Sequence, residues 1–436
     1  MTDLTGLGVV DTVATIVRGD ATTIDVVEAC LARIQATDGA IEAWTTVDAD
    51  AALAEARARD NDLRQGRRPG QLHGVPIGVK DIIDVAGMTT TAGARPFAHT
   101  NPTRDAALVA RLRAAGAVIL GKTTATQFAF LDPAPTRNPW APGHTPGGSS
   151  SGSAAAVAAR HVPAAIGTQT IGSILRPAAF CGVVGLKGAH GAVPMEGVRP
   201  LSPSLDHGGP FTRSVADAAL IEQVLVGDGV EAVEIVAPRL VVPGELLALA
   251  DAPMRQHVED VVVMLAAAGA TIARVPFPAP LAPVLDAGYA VLEAEAAEQH
   301  RVTFALHGAE YGPRIAELVA AGLGRTADEL DEAQRVRAAF TEVLEPWLAS
   351  FDALLSPVAR GPAPRLGAGT GDPTLCAPWS YAGVPSISIP TSLDADGLPL
   401  AVQLAVGRNG LGRLLATARW CEQVLGFDAA PRSGGQ

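Results

Sequence analysis

Short apolar runs alternate with helix-patterned stretches along most of this chain, and that alternation confines it to a layered α/β fold. Gly74 to Val79 reads as a strand ending at Lys80 and Asp81, and a helix at 105–115 leads into an apolar strand at Ala117 to Leu120. Further strands are expected near 271–275, 353–355, 385–390 and 399–405. Helices fit a segment capped by Thr22 or Thr23, then 50–64, Ala154 to Ala159, 213–226, 254–268, 284–306, 333–349 and 411–425. Leu131 to Ser153 reads as loop. Asp394 to Gly397 has hairpin-turn composition, which makes the sheet mixed rather than purely parallel. Helices should cover both faces, and no internal repeat or long linker interrupts the pattern.

With 436 residues, 48 % of them apolar and 18 % charged, the chain has ample material for a large core, which rules out disorder and coiled coil. A net charge of −12 repels phosphate backbones, so no nucleic-acid partner is expected. No apolar run reaches the roughly 18 residues of a membrane span, and no basic segment precedes an apolar core at the N-terminus. A cytoplasmic protein without membrane contact is expected. Cys30, Cys181, Cys376 and Cys421 lie far apart, without metal-ligand or redox spacing, and fit reduced, buried thiols. Only Lys80, Lys122 and Lys187 supply titratable amines; the other basic residues are arginines, which stay charged.

Gly116-Ala-Val-Ile-Leu-Gly121-Lys122-Thr123 matches the phosphate-loop pattern G-x-x-x-x-G-K-[ST]. Its variable positions, however, are an apolar strand, which aims its amides at neighbouring strands rather than at a phosphate. A strand followed by a turn is expected there. Two serine motifs carry more. Thr145-Pro-Gly-Gly-Ser149-Ser150-Ser151-Gly152-Ser153 runs straight into an apolar helix. Gly167-Thr-Gln-Thr-Ile-Gly172-Ser173-Ile-Leu-Arg176-Pro-Ala-Ala-Phe-Cys181-Gly follows it. Ser173, preceded by glycine, is a candidate exposed nucleophile, and a serine nucleophile needs a base. No Ser-His-Asp arrangement is legible among the scattered histidines, and Ser173 lacks the second glycine of a G-x-S-x-G elbow.

In these motifs the chain resembles the amidase signature family. The resemblance spans Ile24 to Ile34, Leu72-His-Gly-Val-Pro-Ile-Gly-Val-Lys80-Asp81, Thr136-Arg-Asn-Pro-Trp140, both serine motifs and Val183-Val-Gly185-Leu-Lys187. It continues through Leu205-Asp206-His-Gly-Gly-Pro210, Arg213 to Asp217, Asp352 to Pro357, Ala382 to Pro385 and Ile389-Pro390 to Gln403. It implies one large mixed, twisted sheet covered by helices on both faces, as a single domain over 1–436. Within it, N-terminal helices would fill about 1–65, the signature core about 66–225, variable helices at the cleft entrance about 280–350, and C-terminal strands and a helix about 351–426.

Residue by residue, the resemblance implies a Ser-cisSer-Lys triad: Ser173 as nucleophile, Ser149 as the serine after a cis peptide bond, and Lys80 as base. Backbone N–H groups of Thr170, Ile171, Gly172 and Ser173 would hold the oxyanion. An ordinary lysine is too basic for this work, so Lys80 must be desolvated by its apolar strand. Asp81, adjacent in an extended segment, would face the other way. The implied activity is hydrolysis of a small-molecule amide-type C–N bond (carboxamide, aryl amide or carbamate, the last making it a urethanase) by a monomer or homodimer with no metal or organic cofactor. The alternative is the glutamine-hydrolysing component of a tRNA-dependent amidotransferase, whose usual form is Asp-x-Gly-Gly-Ser-Ile-Arg. This chain departs from that form with Gln169, Ile171 and Leu175, its arginine coming one place later at Arg176. Ile171 would be strained if its backbone needs positive φ, and otherwise narrows the acyl pocket as a substrate-binding residue. Gly188 stands where proline is usual after Lys187, whose expected role is packing or a salt bridge.

Overall fold

The computed structural model describes residues 3–94, 100–227, 230, 233–234 and 236–431. Its spine is one mixed sheet, to which the described residues contribute β1 Trp44–Val47, β2 Pro76–Lys80, β3 Val118–Thr123, β4 Ala164–Gln169, β5 Val184–Lys187 and β6 His207–Thr212. β7 Arg239–Val241, β8 Thr271–Ala273, β9 Ala353–Pro357, β10 Ser386–Leu393 and β11 Pro399–Ala405 complete it. The spatial order is β1-β3-β2-β4-β6-β5-β10-β11-β9-β7-β8. β2 runs parallel to β3 and β4, and β7 runs parallel to β8 and β9. The other pairs are antiparallel, including the β10–β11 hairpin.

Consecutive side chains of a strand point to opposite faces, so a strand covered on both sides reads as a continuous apolar run. β3 does this: Val118 and Leu120 enter the core beneath the helices Thr23–Ile41, Ala49–Arg64 and Ser151–Ala158, while Ile119 enters the core on the opposite face. β4 splits the same way, with Ala165 in one core and Ala164 and Ile166 in the other. The parallel pairing of β2 with β4 brings their C-terminal ends to one edge of the sheet, where ligands of α/β sheets bind. Lys80 ends β2 at that edge, and the turn carrying Ser173 leaves β4 there.

The expected helices and strands occur with shifted ends. The helix expected at 284–306 is Leu281–His307, and that at 333–349 begins earlier, at Ala327, behind a capping box of Thr326 and Glu329. The helix expected from Ala154 begins at Ser151, because Ser151 Oγ donates to Gly147 O (2.7 Å) and Ser153 Oγ to Ile166 O (3.0 Å), which lets hydroxyls sit inside a wholly buried helix. The strand expected to stop at Leu120 runs on to Thr123, so Gly121-Lys122-Thr123 is strand where a turn was expected.

Candidate active site

Lys80 is fully buried, and its Nζ lies 2.8 Å from Ser149 Oγ, 2.7 Å from Thr168 Oγ1 and 3.5 Å from Thr168 O. Burial brings its amine from the ordinary 10.5 down to about 7, against the opposing field of Asp206. Asp81 does turn away: it pairs with buried Lys122 at 3.0 Å and accepts from the Thr91 hydroxyl. Lys122 also donates to Thr90 Oγ1 at 2.8 Å, so the lysine of the phosphate-loop match is spent inside the core.

The loop before the helix Ser151–Ala158 is shaped by backbone. Gly147 has φ +82°, and a Cβ there would come within 2.8 Å of Pro177 Cα, so glycine alone fits. The Gly148–Ser149 peptide bond is cis. Thr126 N donates to Ser149 O at 3.2 Å. The neighbouring hydroxyls are engaged by backbone: Ser150 Oγ donates to Thr168 O (3.1 Å) and Ser151 Oγ to Gly147 O. Of this serine run, Ser149 is the one that meets the amine.

Gln169 closes the turn after β4. Its carboxamide oxygen accepts from the amides of Ile174 (2.9 Å) and Leu175 (3.0 Å), while Nε2 donates to Ser380 Oγ (3.1 Å). Among the described residues, the buried amides of Ile171, Gly172 and Ser173 donate to no protein acceptor. Buried N–H groups are nearly always paired, so three in a row without a protein acceptor set this segment apart. Ile171 has no positive φ, which removes the strained alternative; its side chain is buried in the main core with Leu175 and Ala179.

Ser173 is 5 % exposed, and its Oγ makes no hydrogen bond among the described residues. Arg176 joins its segment to that of Ser149. One guanidinium nitrogen donates to Gly148 O (2.8 Å) and Thr370 Oγ1 (3.2 Å), and the other lies 3.2 Å from where a Gly172 Cβ would sit. The structure therefore brings Lys80 and Ser149 into direct contact, and Arg176 ties the segment of Ser173 to the Ser149 loop through Gly148 O; among the described residues no hydrogen bond links Ser149 to Ser173.

Two polar contributors were not picked out from the sequence as site residues. Thr168 gives Lys80 a second partner, and Asp206 accepts from Thr170 Oγ1 at 2.6 Å. Thr168 lay within the second serine motif and Asp206 within the Leu205-Asp206 motif, but neither motif pointed to a contact with Lys80 or Thr170. A crevice too narrow to hold a water molecule adjoins them, lined by Ile82, Ala129, Thr168, Thr170, Arg199 and Asp206. Lys187 forms no salt bridge among the described residues; it donates to the carbonyls of Val384, Trp379 and Gly188. A Cβ at Gly188 would lie 2.2 Å from Glu222 Oε1, so a larger residue there displaces the end of that side chain.

No helix among the described residues is long and apolar enough to cross a membrane. The family model described as Amidase matches residues 25–410. The A-type chain of the glutamyl-tRNA(Gln) amidotransferase of Anaeromyxobacter sp. (strain K) is 36 % identical, over 93 % of this chain and 94 % of that protein. A solved structure described as the crystal structure of an amidase superposes with a TM-score of 0.90 at 34 % identity, covering 96 % of this chain and 100 % of its own. Native peptide amidase from Stenotrophomonas maltophilia superposes with a TM-score of 0.83 at 28 % identity, covering 98 % of each chain. The chain belongs to the amidase signature family.

Proposed function

We propose that the protein hydrolyses a small-molecule amide C–N bond through Ser173, with Ser149 and Lys80 relaying its proton. The observation that carries this reading is the 2.8 Å contact between the desolvated Lys80 amine and the hydroxyl that follows the cis bond. Neutral Lys80 takes the Ser149 proton while Ser149 Oγ takes that of Ser173, and Ser173 Oγ attacks the carbonyl carbon. The link from Ser149 to Ser173 closes once substrate is in place, as catalytic hydrogen bonds commonly do. The oxyanion is held by the N–H groups of Thr170, Ile171, Gly172 and Ser173. Collapse breaks the C–N bond, Ser149 protonates the leaving nitrogen, and Lys80 returns the proton to Ser149. Water then attacks acyl-Ser173 by the same path, releasing the acid and restoring the serine.

The curated relatives favour a second reading of the same chemistry, in which glutamine is the amide and a partner chain consumes the ammonia. The departures at Gln169, Ile171 and Leu175 support a stand-alone enzyme instead. Carbamate cleavage rests on the serine chemistry alone, since none of these relatives is named for it. The test compares wild type with Ser173→Ala on an aryl amide, an aliphatic amide, an aryl carbamate and glutamine. Turnover of any of the first three that vanishes in the variant supports the stand-alone hydrolase. Activity on glutamine alone supports the amidotransferase component, and activity that survives Ser173→Ala overturns both.

A further inference from the structure

The Asp206 carboxylate is closed by three donors. Oδ1 accepts from Thr170 Oγ1 at 2.6 Å, and Oδ2 accepts from the amides of Leu201 (2.9 Å) and Ser202 (3.0 Å). The group is buried and fixed at the start of β6, on the turn 201–206 that folds back onto its own side chain. Thr170 opens the segment whose next three amides lack acceptors, so one oxygen of Asp206 pins the entry to that segment. The same carboxylate lines one crevice with Thr168, whose hydroxyl lies 2.7 Å from Lys80 Nζ, and its field favours the charged form of that amine.

Arg199 lines the same crevice as Asp206, while the charged groups next in the chain or on adjoining elements have partners of their own. Asp81, next in β2, is paired with Lys122 of β3. His207, next to Asp206, is kept neutral by burial, with Nδ1 2.6 Å from Leu205 O. Arg176, on the helix after β4, points to Gly148 O. The relay turns neutral Lys80 into a buried ammonium in the transition state, and a buried cation without an anion is costly.

Resting on the proton relay of the proposed function, we propose that Asp206 is a positioning residue that serves as counter-charge to the ammonium formed at Lys80 and, through Thr170, fixes the oxyanion-holding segment. Burial pushes the Asp206 carboxyl up, to about 6, while its three hydrogen bonds and Lys80 favour the charged form.

Asp206→Asn isolates the charge. The asparagine oxygen accepts from the two amides, and its NH₂ donates to Thr170 Oγ1, so the hydrogen bonds survive in number. In this variant kcat on an amide substrate should fall about tenfold or more, with KM within about threefold. The acid limb of kcat/KM should also move to lower pH, because a carboxylate that favours the charged amine has gone. Thr170→Val should lower kcat similarly, and Thr170→Ser should restore it, which keeps the test alive if Asp206→Asn fails to fold. An Asp206→Asn enzyme with wild-type kcat and an unmoved acid limb overturns the proposal, as does a Thr170→Val enzyme with wild-type kcat. Ser173→Ala separates the two levels. If it is inactive while Asp206→Asn matches wild type, only the role of Asp206 falls; if it stays active, the relay itself falls.

Discussion

Lys80 and Asp81 are neighbours in sequence with different partners: Lys80 Nζ meets Ser149 Oγ at 2.8 Å, while Asp81 pairs with Lys122 at 3.0 Å. Because the acid next in the chain is neutralised elsewhere, it does not hold the Lys80 amine charged. In the proposed relay, Lys122 thus keeps Asp81 away from the base. Lys122→Met leaves Asp81 buried and unpaired, and should cost about 3–5 kcal/mol of stability. Denaturant unfolding checks this, and Asp81→Asn in the same chain should recover part of the loss.

The pH dependence follows from burial of Lys80. Its amine is lowered to about 7, and only the neutral form accepts a proton. kcat/KM should therefore rise through pH 7 and fall about tenfold per unit well below it. A profile flat from pH 5 to 8 would remove Lys80 as the base.

Groups that act as one relay fail together. Ser173→Ala, Ser149→Ala and Lys80→Met should each lower kcat by about 10³-fold or more, and a double variant should be little worse than the weaker single. Independent, additive losses in steady-state kinetics would contradict a shared proton path.

Ile171 is 4 % exposed and belongs to the same apolar core as Leu175 and Ala179. Ile171→Ala should destabilise by about 2–5 kcal/mol. Ile171→Gly should widen the range of accepted acyl groups more than it slows reaction of Ser173 with a small acylating agent. An unchanged substrate profile would sink the pocket-narrowing role.

Gly188 makes room for the buried Glu222 carboxyl, which burial raises to about 8 while the Lys187 field opposes it. Gly188→Ala should cost about 1–3 kcal/mol by overpacking. Paired with Glu222→Ala, which removes the clashing carboxyl, its own increment should nearly vanish, a non-additivity that thermal or denaturant unfolding measures.

Periodic elements were legible in the sequence; elements with irregular composition were not. The helices 213–226 and 411–425 match Val215–Val226 and Leu411–Leu425 closely, the first apolar over most of its length behind its Ser214 cap and the second by its apolar face. β4 to β6 escaped as strands: Ala164–Gln169 and His207–Thr212 are rich in glycine and small residues, and their β character comes from burial between neighbours. The helix Pro313–Leu323 was missed inside a stretch that matched no motif. Lys80, Ser149 and Ser173 were reached through motif resemblance, and Lys80 also by scarcity of amines. Asp206 and Thr168 act through hydrogen bonds between segments distant in sequence, which no local pattern encodes.

The central claim is that Ser173 is the acylated residue. The most direct measurement is mass spectrometry of the intact protein and its peptides after reaction with a slowly deacylating aryl ester or carbamate. The account predicts one acyl adduct, on the peptide containing Ser173, absent in Ser173→Ala and formed far more slowly in Lys80→Met. An adduct on Ser149, Ser150 or Ser151 in the wild-type enzyme, or one that persists in Ser173→Ala, would contradict it.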